Sequence, residues 1–260
     1  VVFGISMANT IMIGQAVGGR DIEEARRVVG TSTTFFVGLS VLAAVLGFVF
    51  TPHILAAMHT PDDATPLAII YLRIIFIALP FMYFYNFVMM TLRGAGDSRT
   101  PFYFMLLSVV LDVVLNPVLI FGVGPIPPLG IAGSALATLI AQLTSLAAMI
   151  GLLYRRRHFL LLHREQLALL RPDMAILRAL VMKGLPMGLQ MVVISSSAIV
   201  MMSLVNTYGS RTTAAYGVAS QLWTYVQMPA LAVGASVSSM VAQNVGAGLW
   251  VRVARVTQVG

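Results

Sequence analysis

The sequence predicts an all-α fold, a polytopic membrane helical bundle built as a parallel six-helix repeat that is truncated here. Three observations carry this. The chain is 58% hydrophobic with 10% charged residues and a mean hydropathy of +0.91, where soluble proteins hold about 25% charged residues. Too few charges remain to cover a water-facing surface. The apolar residues also fall into long runs, and none alternates as a barrel strand would. A backbone in lipid must satisfy its own hydrogen bonds, so these runs are helices.

Seven runs follow in order. Residues 1–17 are apolar from Val1-Val2-Phe3-Gly4-Ile5 onward, with no charged region or cleavage site of a signal peptide. They read as a helix lacking its start. Runs at 31–57, 64–92, 100–123, 129–154, 177–207 and 213–245 each reach the roughly 20 residues that a span requires.

The charges orient them. Loop 18–30 carries Arg20, Arg26 and Arg27, and loop 93–99 carries Arg93 and Arg99. Arg155, Arg156, Arg157, Arg164, Arg171, Arg178 and Lys183 lie in or beside 155–176, and the tail 246–260 carries Arg252 and Arg255. The opposite connections hold Asp62, Asp63 and the single basic residue Arg211. Fourteen of sixteen basic residues therefore lie on one face, which the positive-inside rule makes cytoplasmic. The expected place is the cell (inner) membrane, multi-pass, with the lipid bilayer as partner. Arg73, in the first half of the 64–92 run, is expected to snorkel to the outer interface, with a role in the pathway as the alternative.

Other classes find little support. There is no cysteine, and His53, His59, His158 and His163 lack metal-ligand spacing, so no metal or cofactor is expected. An aspartyl enzyme needs two facing carboxylates and a metalloprotease His-Glu-x-x-His; neither pattern is present, and no catalytic residue is assigned. Arg155-Arg156-Arg157 reads as a topology anchor, not a nucleic-acid patch. Gly94-Ala95-Gly96-Asp97 lacks the Lys-Ser/Thr of a phosphate loop. It reads as a helix stop with a glycine at positive φ, before Thr100-Pro101 opens the next helix.

Gln15-Ala16-Val17-Gly18-Gly19 recurs 228 residues later as Gln243-Asn244-Val245-Gly246-Ala247. Six runs lie between the copies, so both end at the same membrane face, as in a parallel repeat about an axis along the membrane normal. The repeat implies about twelve helices, of which this chain would be a fragment. Residues 1–154 are the expected amino-terminal lobe without its first helix. Residues 155–176 are the inter-lobe loop, and 177–260 the first two helices of the carboxy-terminal lobe.

Of nine acids, Asp112 alone lies inside an apolar run. A carboxylate at helix centre costs roughly 2.5–3.5 kcal/mol on insertion scales, and such residues usually mark an ion or substrate pathway. A hydrogen-bonded acid joining two helices is the structural alternative. Ser108 and Asn116 share its helix face at i−4 and i+4, and Pro117 frees carbonyls beside Asn116. On the next run, Ser134, Thr138, Gln142 and Ser145 form a polar stripe. One pocket formed by Asp112, Asn116 and Thr138 would exchange protons, since burial favours a neutral acid and nearby donors favour the charged one. Interior Pro80, Pro186 and Pro229 permit helix bends.

Leu92-Arg93-Gly94-Ala95-Gly96-Asp97-Ser98-Arg99-Thr100-Pro101 resembles the loop between the fourth and fifth helices of MATE (multidrug and toxic compound extrusion) transporters. Asp112-Val113-Val114-Leu115-Asn116-Pro117 and Gly130-Ile131-Ala132-Gly133-Ser134-Ala135-Leu136-Ala137-Thr138 resemble the fifth and sixth helices. Gly184-Leu185-Pro186 with Gln190 resembles the seventh, and Gln243-Asn244-Val245-Gly246-Ala247-Gly248 the end of the eighth. The resemblance covers the chain in family order, from roughly the second to the eighth of twelve helices. It implies a secondary active exporter, monomeric when full length, that trades protons or sodium for organic cations or other xenobiotics by alternating access. Asp112, Asn116 and Thr138 would couple the cation or proton, and Asn86, Ser108, Ser134, Gln142 and Gln190 would line the cavity. The DinF-like branch carries Asn then Asp on the fifth helix, whereas here the order is reversed. The seventh-helix Glu of another branch has no match among Val193, Ile194, Ser195 and Ser196, which favours the DinF-like branch. A lipid-precursor flippase of the same superfamily, or a non-functional gene fragment, is the alternative.

Overall fold

A computed structural model describes residues 2–57, 65–122, 127–156, 158–159 and 169–260. Asp62, Asp63, His59, Arg157, His163, Arg164 and Glu165, together with most of connection 124–128, lie outside the described residues. Among the described residues the helices are α1 (Val2–Gly18), α2 (Ile22–Ala57), α3 (Thr65–Gly94), α4 (Arg99–Phe121), α5 (Gly130–Arg155), α6 (Met174–Asn206), α7 (Ser210–Gly246) and α8 (Trp250–Val259). Six of them, α2 to α7, are long and apolar enough to cross a membrane. Large apolar side chains such as Phe102, Val113 and Val193 are exposed along them, as lipid-facing positions should be.

Two bounds differ from the sequence expectation. The loop expected at 18–30 is mostly helix, because Asp21 caps α2: its Oδ1 accepts the Glu24 backbone N–H at 2.8 Å. Glu23 and Glu24 fall in the first turn, where acids favour the helix dipole. The tail at 246–260 contains α8, which begins 228 residues after the start of α2.

The repeat extends into its backbone. Gly19, Arg20 and Asp21 donate to the carbonyls of Gln15, Val17 and Ala16 at 3.0, 3.0 and 2.9 Å. At the same offset, Ala247, Gly248 and Leu249 donate to Gln243, Val245 and Asn244 at 3.0, 3.0 and 2.9 Å. Both are Schellman-type caps, which need one residue at positive φ. Gly248 supplies φ +70°, whereas its mate Arg20 adopts φ +61° with a side chain attached. A left-handed non-glycine costs roughly 1–2 kcal/mol, partly offset by the freedom glycine has when unfolded. Arg20→Gly is therefore expected to stabilise the fold by about 0.5–1 kcal/mol, read as a raised thermal midpoint in detergent. A lowered midpoint would contradict this account. The third turn behaves as its sequence predicts: Gly96 sits at φ +90° and Asp97 N–H donates to the Leu92 carbonyl at 2.9 Å.

Contacts group the chain into two compact units: Val1–Val28, Gly94–Gly96 and Met174–Gly260 form one, Val29–Arg93 and Asp97–Asp173 the other. This grouping follows tertiary neighbours rather than repeat order, since α1 packs on α6 and α7. In the first unit, small residues let backbones touch. A Cβ on Gly4 would overlap Gly188, and one on Gly184 would lie 2.8 Å from the Ile5 Cα. In the second unit, Tyr85, Met89 and Leu92 of α3 pack with Leu146, Met149 and Leu153 of α5. The Phe36 and Phe87 rings lie 5.1 Å apart. Arg73 places its guanidinium 5.0 Å from the centre of the Phe48 ring, a cation–π contact.

Candidate functional site

The site grows from the α4–α5 pair in the second unit. Asp97 starts α4: its Oδ1 accepts the backbone N–H groups of Arg99 at 3.1 Å and Thr100 at 3.0 Å. Burial alone would raise its carboxyl pKa, but hydrogen bonds from Thr100 and Arg99 and the nearby His158 hold it below the usual range. Small residues of α5 then bring the helices together. Gly133, Ala137 and Ala141 are buried at i, i+4 and i+8. A Cβ on Gly133 would overlap the Leu119 carbonyl of α4.

This approach brings Thr138 to Asp112. The Thr138 hydroxyl donates to Asp112 Oδ1 at 3.0 Å, half-buried within two apolar helices. Asn116 stands beside them but donates to the Asp112 backbone carbonyl at 2.9 Å, not to the carboxylate. Pro117 lacks the N–H that would bond the Val113 carbonyl, so the donor lost from the ladder is one residue away from the carbonyl that Asn116 serves.

The remaining candidates are arranged differently. Gln142 lies one turn from Thr138 on α5, and its Oε1 is buried without a hydrogen-bond partner among the described residues. Ser145 Oγ and Tyr85 Oη are in the same condition. A buried polar group left unpaired costs about 1–3 kcal/mol, so this part of the α3–α5 region suits bound water or a polar ligand. Sequence reasoning assigned no such role to Tyr85, and only its place among apolar core residues distinguishes it. Ser108 and Ser134 are half-buried on α4 and α5. Asn86 is exposed on α3 and donates to the Met82 carbonyl of its own helix at 2.8 Å. Gln190 is exposed on α6, in the other unit.

A cavity of about 190 Å³ lies in the same unit, lined by Val29, Thr33, Phe84, Phe87, Val88, Thr91, Leu92, Ile150, Leu153, Tyr154 and His158. Burial pulls the His158 imidazole below its usual pKa, against the opposing charge of Asp97. The His158 ring stacks on Phe159 at 4.7 Å. No cluster of metal-ligating side chains occurs among the described residues.

Chemically, the Asp112–Thr138 pair sets a carboxylate and a hydroxyl oxygen side by side between two apolar helices.

The chain is similar to known proteins in sequence and in fold. The sequence profile of the family described as MatE matches residues 1–118 and 186–260. The chain is 42% identical over 257 residues to a probable multidrug resistance protein, YoeA, of Bacillus subtilis strain 168, covering 99% of this chain and 56% of that protein. It is 34% identical over 248 residues to a second probable multidrug resistance protein of that strain, YpnP, covering 95% of this chain and 54% of that protein. The chain thus spans about half the length of these curated relatives. The crystal structure of MATE in complex with MaD5 superposes with a TM-score of 0.88 at 23% identity, covering 98% of this chain and 57% of that one. At that identity the likeness speaks for the fold.

Proposed function

We propose, from the premise that this chain belongs to the MatE family, that the full-length protein is a secondary active multidrug exporter. It exchanges protons or sodium for organic cations or other xenobiotics by alternating access. The carrying observation is the 3.0 Å bond from Thr138 to Asp112, the one acid within an apolar run of the sequence. An acid within an apolar helix usually marks an ion or substrate pathway. The basic connections mark the cytoplasmic side. Residues 1–154 and 177–260 belong to the two lobes of the repeat, joined through 155–176. The exposed apolar side chains of α2 to α7 meet lipid, or the helices that complete the lobes.

The test uses the full-length protein in everted membrane vesicles from cells lacking their own drug pumps. Ethidium should accumulate in these vesicles when a proton or a sodium gradient is imposed, and collapse of that gradient by the matching ionophore should release it. Accumulation that ignores both gradients would exclude an ion-coupled exporter.

A further inference from the structure

The ends of α1 and α7, which are mates in the internal repeat, cross each other reciprocally. A Cβ on Gly18 would overlap the Gln243 carbonyl, and a Cβ on Gly246 would overlap the Gln15 carbonyl. Each copy of Gln-x-x-Gly thus seats its glycine on the glutamine backbone of the other. A segment can touch its own symmetry mate only near the axis that relates them. In a parallel repeat that axis runs along the membrane normal, so this crossing sits on the axis at the membrane end that bears residues 19–21 and 247–249.

The crossing is tied to further helices by its glutamine side chains. Gln243 Nε2 donates to the Gly94 carbonyl at the end of α3 at 2.9 Å. Lys183 Nζ of α6 lies 3.4 Å from Gln15 Oε1. One turn inward, a Cβ on Gly14 would lie 3.0 Å from the Ala242 Cβ. The closest approaches are glycine on backbone.

We propose that this reciprocal Gln15–Gly18 and Gln243–Gly246 crossing is the seal that closes one end of the transport path. It is shut in the conformation seen here and opens when α1 parts from α7 during the cycle. This rests on the exporter reading above. Anything moving along the axis between the two lobes must pass this point.

A cysteine pair tests the seal, because these 260 residues contain no cysteine. In the full-length protein, with any cysteine elsewhere replaced, Gly14→Cys and Ala242→Cys are combined. Their Cβ separation is within a few tenths of an ångström of the disulfide range, about 3.5–4.5 Å. A protease site placed between residues 160 and 168 reports linkage. Copper phenanthroline should link the pair and lower gradient-driven ethidium accumulation at least tenfold, and dithiothreitol should restore it. Each single variant should be insensitive to oxidant. Full linkage with undiminished accumulation, or a pair that never links, overturns the seal.

Linkage rate is a second readout that needs no substrate. An imposed ion gradient, by populating the opened state, should change the rate at least threefold, and an identical rate in both conditions also overturns the seal. Failure of the unmodified protein to accumulate ethidium refutes the exporter reading instead, and the linkage rate then judges the seal alone. If Gly14→Cys prevents membrane insertion, Gly246→Ala replaces it. That variant props the crossing apart and should let ethidium leak down its gradient at least tenfold faster, with an unchanged leak counting against the seal.

Discussion

Asp112→Asn in the full-length protein is expected to abolish gradient-driven accumulation of substrate while leaving the protein inserted and folded. The substitution is nearly isosteric. An asparagine Oδ1 still accepts from the Thr138 hydroxyl, which now stands 3.0 Å from the carboxylate, so the α4–α5 contact survives. What disappears is the one acid that lies within an apolar run of this sequence. Moving one charge through 100 mV is worth about 2.3 kcal/mol, equivalent to a concentration ratio of about 50. The ratio inside everted vesicles should therefore fall from tens to near unity, with equal amounts of protein in the membrane. Accumulation that persists at the wild-type ratio would remove Asp112 from the mechanism and leave it as a helix-joining acid.

The order of Asp112 and Asn116 sharpens that experiment. In the Asp112→Asn, Asn116→Asp double variant the acid moves one turn along α4, to the place resembling the DinF-like order. Thr138 donates to position 112, while the side chain at 116 serves a backbone carbonyl. The moved carboxylate thus loses its hydroxyl partner and displaces a donor that the backbone uses. The exchange should not restore accumulation. Recovery would show that the charge matters and its exact partner does not.

The sequence made the spans legible because a helix in lipid announces itself by hydropathy over about 20 residues. It made Asp112 and Thr138 legible because a polar face at helical spacing has no reason to meet lipid. Other features have weaker signatures. Arg26 and Arg27 suggested a loop, yet a capped helix tolerates charges on its exposed turns, and α2 starts at Ile22. The tail concealed α8, although projecting the start of α2 forward by the repeat offset marks Trp250. The packing of α1 on α6 and α7 rests on backbone proximity at Gly4, Gly18, Gly184 and Gly246. Hydropathy is blind to which helix fills the space beside a glycine. For the same reason Asn86 and Gln190, polar residues in apolar runs, gave no hint that both would be exposed.

Gly133 is where close fit and chemistry meet, and its replacement should have the largest effect on stability. The carbonyl of Leu119 occupies the space a Cβ would need, and the Leu129 N–H holds that carbonyl in place at 3.0 Å. A side chain must therefore push the two helices apart. Overpacking of this kind costs typically 1–3 kcal/mol, so Gly133→Ala should destabilise by about that much and Gly133→Leu by more. Thr138 lies five residues along α5 from Gly133, roughly 7.5 Å away along the axis. Separation of the helices by even 1 Å would stretch the bond to Asp112 beyond hydrogen-bond reach. Accumulation should thus fall with stability in both variants. Gly151 supplies the control on the same helix, since a Cβ there meets nothing within 4 Å. Helix propensity then acts alone, and Gly151→Ala should stabilise by up to about 1 kcal/mol. Thermal midpoints in detergent that move in opposite directions for Ala at 133 and at 151 would establish the α4–α5 approach. A common direction would mean that the two helices yield at Gly133, and that the Asp112–Thr138 geometry does not depend on it.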